Sequence, residues 1–300
     1  MQIMISGSHG LIGARLVDEL TQAGHTVFRL GRRSRSQTAG DVVWDPATGE
    51  VVGSWPEDLD VVVHLAGASI AEGRWTQSRM AEIRDSRVVG TRRLSEAMAT
   101  WQHKPSTLIC ASAIGFYGDR GEEQLDESSA AGTGFLATVC QEWEAAADAA
   151  RQAGIRVAHL RLGMVLSPQG GALQKMLLPF KLGMGGIIGH GRQYWSSVFL
   201  DDVVAAILHV MERDALAGPV NVVGPQPVTN RDFTKILGRV IGRPTIMPMP
   251  RIMGRIVLGK MVDELMIASA RVLPQQLLES GFRFKYEELE TGLRETLARS

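Results

Sequence analysis

Residues 2–6 read Gln-Ile-Met-Ile-Ser, a short apolar run, and pass directly into Gly7-Ser8-His9-Gly10-Leu11-Ile12-Gly13. Beyond that turn Leu11, Ile12, Leu16, Val17 and Leu20 recur at helical spacing, so the segment reads as strand, tight turn and helix. Glycines at this spacing meet three demands at once. One lets the chain reverse, one lets backbone N–H groups approach a diphosphate, and one lets the helix pack close to the strand. The positive end of the helix, with its unpaired N–H groups, then faces the ligand. Gly7, Ser8, Gly10, Leu11, Ile12 and Gly13 are the expected phosphate contacts.

Strands and helices continue to alternate. Thr26–Leu30 reads as a second strand, and 41–44 and 50–52 as a hairpin around Asp45-Pro46-Ala47-Thr48-Gly49. Asp60-Val61-Val62-Val63-His64-Leu65 is nearly all apolar, as a strand covered on both faces must be. A helix is expected over 79–100, a strand over 107–112, a helix over 134–153 and a strand over 156–160. This alternation predicts an α/β fold, a doubly wound, Rossmann-like parallel sheet. Residues 1–165 would form the nucleotide-binding domain, completed by about 196–223. Residues 166–195, glycine-rich and aperiodic, and the proline-punctuated 224–300 would form a smaller substrate lobe. Asp201-Asp202 is expected to cap the helix over 198–213.

Composition narrows the function. Thirty-two basic residues balance 32 acidic ones, so nucleic acid and anionic membrane are poor partners on the whole-chain count. No apolar run is long enough to span a bilayer, no export signal opens the chain, and two separated cysteines, Cys110 and Cys140, fit a reducing cytoplasm. The seven histidines show no metal-ligand spacing. The partner that remains is a small molecule. Nucleotide choice is legible at the end of the second strand, Leu30-Gly31-Arg32-Arg33-Ser34-Arg35, where no acid occurs before Asp41. A carboxylate there would grip a ribose 2′-hydroxyl, whereas an arginine forks onto a 2′-phosphate. Gly31, Arg32 and Arg33 therefore point to NADP(H).

These residues resemble the short-chain dehydrogenase/reductase superfamily in its extended or atypical, epimerase-like branch. Gly7-x-x-Gly10-x-x-Gly13 is similar to its phosphate loop, and Val63-His64-Leu65-Ala66-Gly67 to the strand beneath the adenosine half. Ser112-Ala113-Ile114-Gly115-Phe116-Tyr117-Gly118 resembles its strand-5 segment. Arg161-Leu162-Gly163-Met164-Val165-Leu166 is similar to the turn beside the nicotinamide. Arg74-Trp75, Ser86–Thr91, Val139–Glu144, Leu178–Gly186 and Arg271–Phe282 narrow the likeness to the "epimerase family proteins", a group sometimes labelled cell-division inhibitors. The resemblance implies cofactor contacts from Gly31, Arg32, Leu65, Ala66, Gly67, Glu82, Arg87, Arg161, Gly163 and Val165. His64 reads as a core residue.

The superfamily moves protons with a Tyr-x-x-x-Lys pair, aided by a serine or threonine on strand 5. Aligned on it, Val139 and Trp143 occupy the tyrosine and lysine positions, and no Tyr-x-x-x-Lys occurs in the chain. Ser112 and Tyr117 are the candidate catalytic replacements, with Lys181, His190 and Tyr194 behind them. The helix is expected to present Val139 and Trp143 as an apolar pocket wall. Two functions stay open: an NADP(H)-dependent oxidoreductase, favoured by the complete substrate-side elements, and a non-catalytic NADP(H)-binding sensor or regulator, favoured by the lost pair. Sugar-nucleotide epimerisation ranks below both.

Overall fold

The computed structural model describes residues 1–32, 41–247 and 261–298, and in it β1 (Gln2–Ser6) runs inside an eight-stranded sheet. To one side lie β2 (Thr26–Gly31), β3 (Val42–Trp44) and β4 (Val51–Val52). To the other lie β5 (Val61–His64), β6 (Thr107–Ala113), β8 (Arg156–Leu162) and the edge strand β12 (Gly218–Val222). All pairings are parallel except β3 with β4, the expected hairpin. The strand order reverses between β1 and β5. In an open parallel sheet that reversal leaves a crevice at the carboxyl ends of the two strands, the usual seat of a ligand.

Side chains alternate across a strand, and here both faces are dry. Ile3, Ile5, Val61 and Val63 pack with Leu16, Val17 and Leu20 of α1 (Leu11–Gln22) and Ile207 and Val210 of α6 (Leu200–Glu212). Met4 and Val62 point the other way, onto Leu94 and Met98 of α2 (Gln77–Thr100) and Ala150 of α4 (Asp148–Gln152). A strand buried on both sides has no polar phase to its pattern, which is why 60–65 reads as one apolar run.

The smaller lobe has its own core, in which Leu173 and Phe180 of α5 (Gly171–Lys181) meet Phe233 and Leu237 of α7 (Asn230–Ile241) and Leu293 of α9 (Leu289–Ala298). Three short pairings surround it: β7 (Gln124–Leu125) with β14 (Arg271–Val272), β9 (Met164–Ser167) with β11 (Ser197–Phe199), and β10 (Tyr194–Trp195) with β13 (Val228–Thr229). The chain then returns to the sheet through α8 (Gln275–Glu279), whose Leu277, with Phe282 and Phe284, enters the first core.

Three local expectations are corrected. The helix over 134–153 is two helices, α3 (Phe135–Ala145) and α4, because Ala146 donates its N–H to the Glu142 and Trp143 carbonyls and the chain tightens there. The stretch read as aperiodic contains α5, where two buried side chains seven residues apart outweigh the internal Pro179. Asp201 and Asp202 lie inside the first turn of α6, whose N-cap is Phe199. The Asp202 carboxylate instead accepts from the backbone N–H of Lys285 (2.7 Å) and Tyr286 (3.2 Å), tethering the C-terminal segment.

Candidate functional site

The glycine turn sits at the β1–β5 reversal. Gly7 adopts φ +71°, and a Cβ there would lie 2.8–2.9 Å from the Leu65 and Ala66 backbone. A Cβ on Gly13 would lie 2.2 Å from the Gly7 carbonyl oxygen, so the first turn of α1 rests directly on the loop. Gly10 donates its N–H to the Gly7 carbonyl (2.9 Å), and a Cβ there would meet only that oxygen, at 3.2 Å. One glycine thus packs against a strand end and one against the helix, while Gly10 is exposed. Gly10 is also the N-cap of α1 and supplies no side-chain acceptor, so the leading N–H groups of the helix face the opening. These residues fit a diphosphate. Ser8 is buried, Leu11 packs against Gly170 and Ile12 joins the sheet core, which leaves their backbone N–H groups as what they can offer. A cleft of about 620 Å³ runs from His9 and Gly10 past Leu11 and Gln169 to Tyr286.

Ser6 fixes the two strand ends together. Its hydroxyl oxygen accepts from the N–H groups of Leu65 (3.2 Å) and Ala66 (3.3 Å), so its single proton goes to Nδ1 of His64, 2.6 Å away. Burial lowers the His64 pKa to about 4, and the ring is a neutral core residue.

Two arginines flank the crevice. Arg32 directly follows Gly31 at the end of β2 and is exposed, while Arg33 lies outside the described residues. Arg87, on α2, lies against Gly67, 3.3 Å from where a Cβ would stand, and 5.1 Å from the centre of the Trp143 ring. One guanidinium nitrogen donates to the Ile83 carbonyl (2.9 Å), and burial lowers its pKa. No carboxylate pairs with it among the described residues, which suits it to an anionic ligand. Glu82 is exposed and paired with Arg79 at 2.6 Å.

Three expected site residues, Ser112, Tyr117 and Arg161, lie in one buried polar cluster. Ser112 donates to Oε1 of Glu144 (2.8 Å), and Arg161 donates to both oxygens of that carboxylate (2.9 Å each). A further Arg161 nitrogen donates to the Tyr117 hydroxyl (2.9 Å), which lies 2.8 Å from Oδ1 of Asn221 and 2.9 Å from the Asp126 carbonyl oxygen. The Arg161 guanidinium stacks 3.5 Å over Phe116. The 3-10 turn Ile114–Tyr117 rotates the tyrosine inward, and burial raises its pKa. Tyr117, Ser112 and Arg161 therefore hold β6, β8, β12 and α3 together. Gly163 allows the β8–β9 turn to pass Ser196, whose carbonyl oxygen would lie 2.6 Å from a Cβ, and Val165 pairs with Val198.

Helix α3 carries valine and tryptophan at the aligned tyrosine and lysine positions. Val139 and Trp143 are both buried, the indole donating to Thr91 (2.9 Å) and its ring lying beneath Arg87. Burial pushes the neighbouring Cys140 thiol up to about 12. Lys181 and His190 are exposed on the smaller lobe, and Tyr194 is half-buried with the Arg271 guanidinium 5.0 Å from its ring centre. Sequence reading missed Glu264. Its carboxylate accepts from the N–H groups of Phe135 (2.9 Å) and Leu136 (2.8 Å), capping α3 from 129 and 128 residues away, and no local pattern announces a cap at that distance.

Residues 3–224 match the model of the NAD dependent epimerase/dehydratase family, and residues 249–296 match a domain of unknown function, DUF1731. The chain is 41% identical to the epimerase family protein Mb2239 of Mycobacterium bovis over 97% of this chain and 96% of that one. It is 36% identical to YfhF of Bacillus subtilis, covering 99% and 98%. Among solved structures, human epimerase family protein SDR39U1 (isoform 2) with NADPH superposes with a TM-score of 0.90 at 29% identity, covering all of both chains. A nucleoside-diphosphate sugar epimerase from Corynebacterium glutamicum gives 0.82 at 34% identity, covering all of this chain and 59% of that one.

Proposed function

The chain belongs to the NAD dependent epimerase/dehydratase family, and from that premise we propose that it is an NADP(H)-dependent oxidoreductase of atypical proton delivery. The observation that carries the nucleotide assignment is Arg32, exposed at the end of β2 with no acid before Asp41, beside a diphosphate cradle at the switch point. The human relative crystallised with NADPH supports the same choice. Gly7, Gly10, Gly13 and the α1 N-terminus would hold the diphosphate, Arg32 the 2′-phosphate, and Leu65, Ala66 and Gly67 would floor the crevice. Arg87 would supply the second cation. The bound nicotinamide would supply or accept hydride. The proton would come from water or from Tyr194, because Tyr117 and Cys140 are sequestered.

A second reading has its own support. Ser112, Tyr117, Val139 and Trp143 are all locked into structural contacts, which favours an NADP(H)-binding sensor without turnover. Sugar-nucleotide epimerisation ranks last, since a positioned acid–base group contributes about 10²–10⁴-fold and α3 offers none.

One experiment addresses both levels. NADPH should raise the melting temperature more than NADH at equal concentration, and Arg32→Ala should remove most of that difference. Equal stabilisation of the wild type by both nucleotides would overturn the NADP(H) assignment. Absorbance of the reduced nicotinamide, followed against a panel of aldehydes and ketones, then separates the readings: turnover supports the oxidoreductase, and binding without turnover across the panel supports the sensor.

A further inference from the structure

The chain's overall neutrality, which argues against a membrane partner, hides a local imbalance. Residues 171–200 contain Lys175, Lys181 and Arg192 and no acid, and residues 233–247 contain Lys235, Arg239 and Arg243 and no acid; of these, Arg239 is paired with Glu290. Lys181, Lys235 and Arg243 are exposed. The same stretches carry Leu178, Leu182, Met184, Ile246 and Met247, five of the eight large exposed hydrophobic residues among those described. Leu178 is 66% exposed and Ile246 78%. The fold brings the two stretches together. After the last turn of α5 the chain doubles back, Met184 donating to the Pro179 carbonyl (2.9 Å), and Arg243 donates to the Lys181 carbonyl (3.0 Å).

We propose that this outer end of the smaller lobe docks on an anionic lipid surface. Apolar side chains flanked by exposed lysines match a bilayer interface in which headgroups carry negative charge and acyl chains lie just beneath. The side chains protrude from a helix end and a loop, a shape that enters a deformable interface. A second copy of this chain fits less well, because a two-fold contact would set this basic patch against the same basic patch. No helix among the described residues is long and apolar enough to cross a membrane, so the contact is interfacial.

The test is co-sedimentation of the full chain with vesicles of phosphatidylcholine alone and of phosphatidylcholine mixed equally with phosphatidylglycerol. The wild type should pellet with the anionic vesicles only, less so as salt rises. Leu178→Ser with Leu182→Ser should reduce that partition roughly tenfold or more, as should Lys181→Glu with Lys235→Glu. The NADPH-induced melting shift of each variant checks the fold. Failure to pellet with anionic vesicles overturns the proposal. So does pelleting that ignores the leucine pair, which is adsorption by charge alone. A wild-type dimer in solution that the leucine variant dissolves also overturns it and assigns the patch to self-association.

Discussion

Gly10 and Gly13 lie three residues apart in one turn, yet a side chain would meet different surroundings at each. At Gly13 the first added carbon stands 2.2 Å from a backbone oxygen, so Gly13→Ala must push α1 off the loop. It should cost about 1–3 kcal/mol, visible as a lower urea midpoint without nucleotide. Gly10 has extended backbone, φ −77° and ψ 171°, that valine adopts readily, and mostly open space outside. Gly10→Val should therefore keep the apo melting temperature near that of the wild type and abolish the NADPH-induced shift. A normal shift in that variant would remove the diphosphate from this turn. The turn was legible because strand, glycines and helix are contiguous, and the contacts that constrain Gly10 and Gly13 lie within a dozen residues; the Leu65 and Ala66 backbone that crowds Gly7 does not. Tyr117 was not, since its environment is made by Asn221, 104 residues away, and Arg161, 44 residues away.

At the scale of elements, strands were easier to read than helix ends. The hairpin over 42–52 carries its own turn chemistry in Asp45-Pro46 and Gly49, and β5 declares its double burial by composition. The break between α3 and α4 has no glycine or proline to announce it. The cap of α3 comes from Glu264, in the π-helical turn Asp263–Ile267, across the junction between sheet and smaller lobe. A carboxylate there satisfies two leading N–H groups and complements the helix dipole. Glu264→Ala should destabilise the chain by about 1–2 kcal/mol in urea unfolding. It should also accelerate amide exchange at Phe135 and Leu136 more than at β6. Glu264→Gln, which keeps one acceptor, should recover part of the loss. Uniform acceleration of exchange would indicate a global effect and no cap.

At the scale of the whole molecule, two histidines are buried inside the sheet, His64 on β5 and His159 on β8. His64 accepts a hydrogen bond from the Ser6 hydroxyl at Nδ1, and burial lowers its pKa to about 4. His159, on β8, is buried with Nε2 3.2 Å from an Arg151 nitrogen. Burial, with arginines 151 and 161, outweighs the Glu144 and Asp148 carboxylates and lowers its pKa to about 4. In the unfolded chain both rings titrate near 6.5. The unfolded state therefore takes up protons below that value while the folded state does not. Their contribution to stability is complete above about pH 6.5 and declines as pH falls toward about 4. Each ring adds a slope of up to about 1.4 kcal/mol per pH unit within that window. Burial raises the carboxyl pKa of Glu127 and Asp202, so these two gain stability as pH falls and oppose the histidines. The variants separate the two contributions. Unfolding free energy should fall between about pH 7 and about pH 5.5. His64→Asn and His159→Asn, each costing stability at neutral pH, should each flatten that decline while leaving the carboxylate contribution in place. A decline as steep in both variants as in the wild type would mean that neither ring stays neutral in the fold.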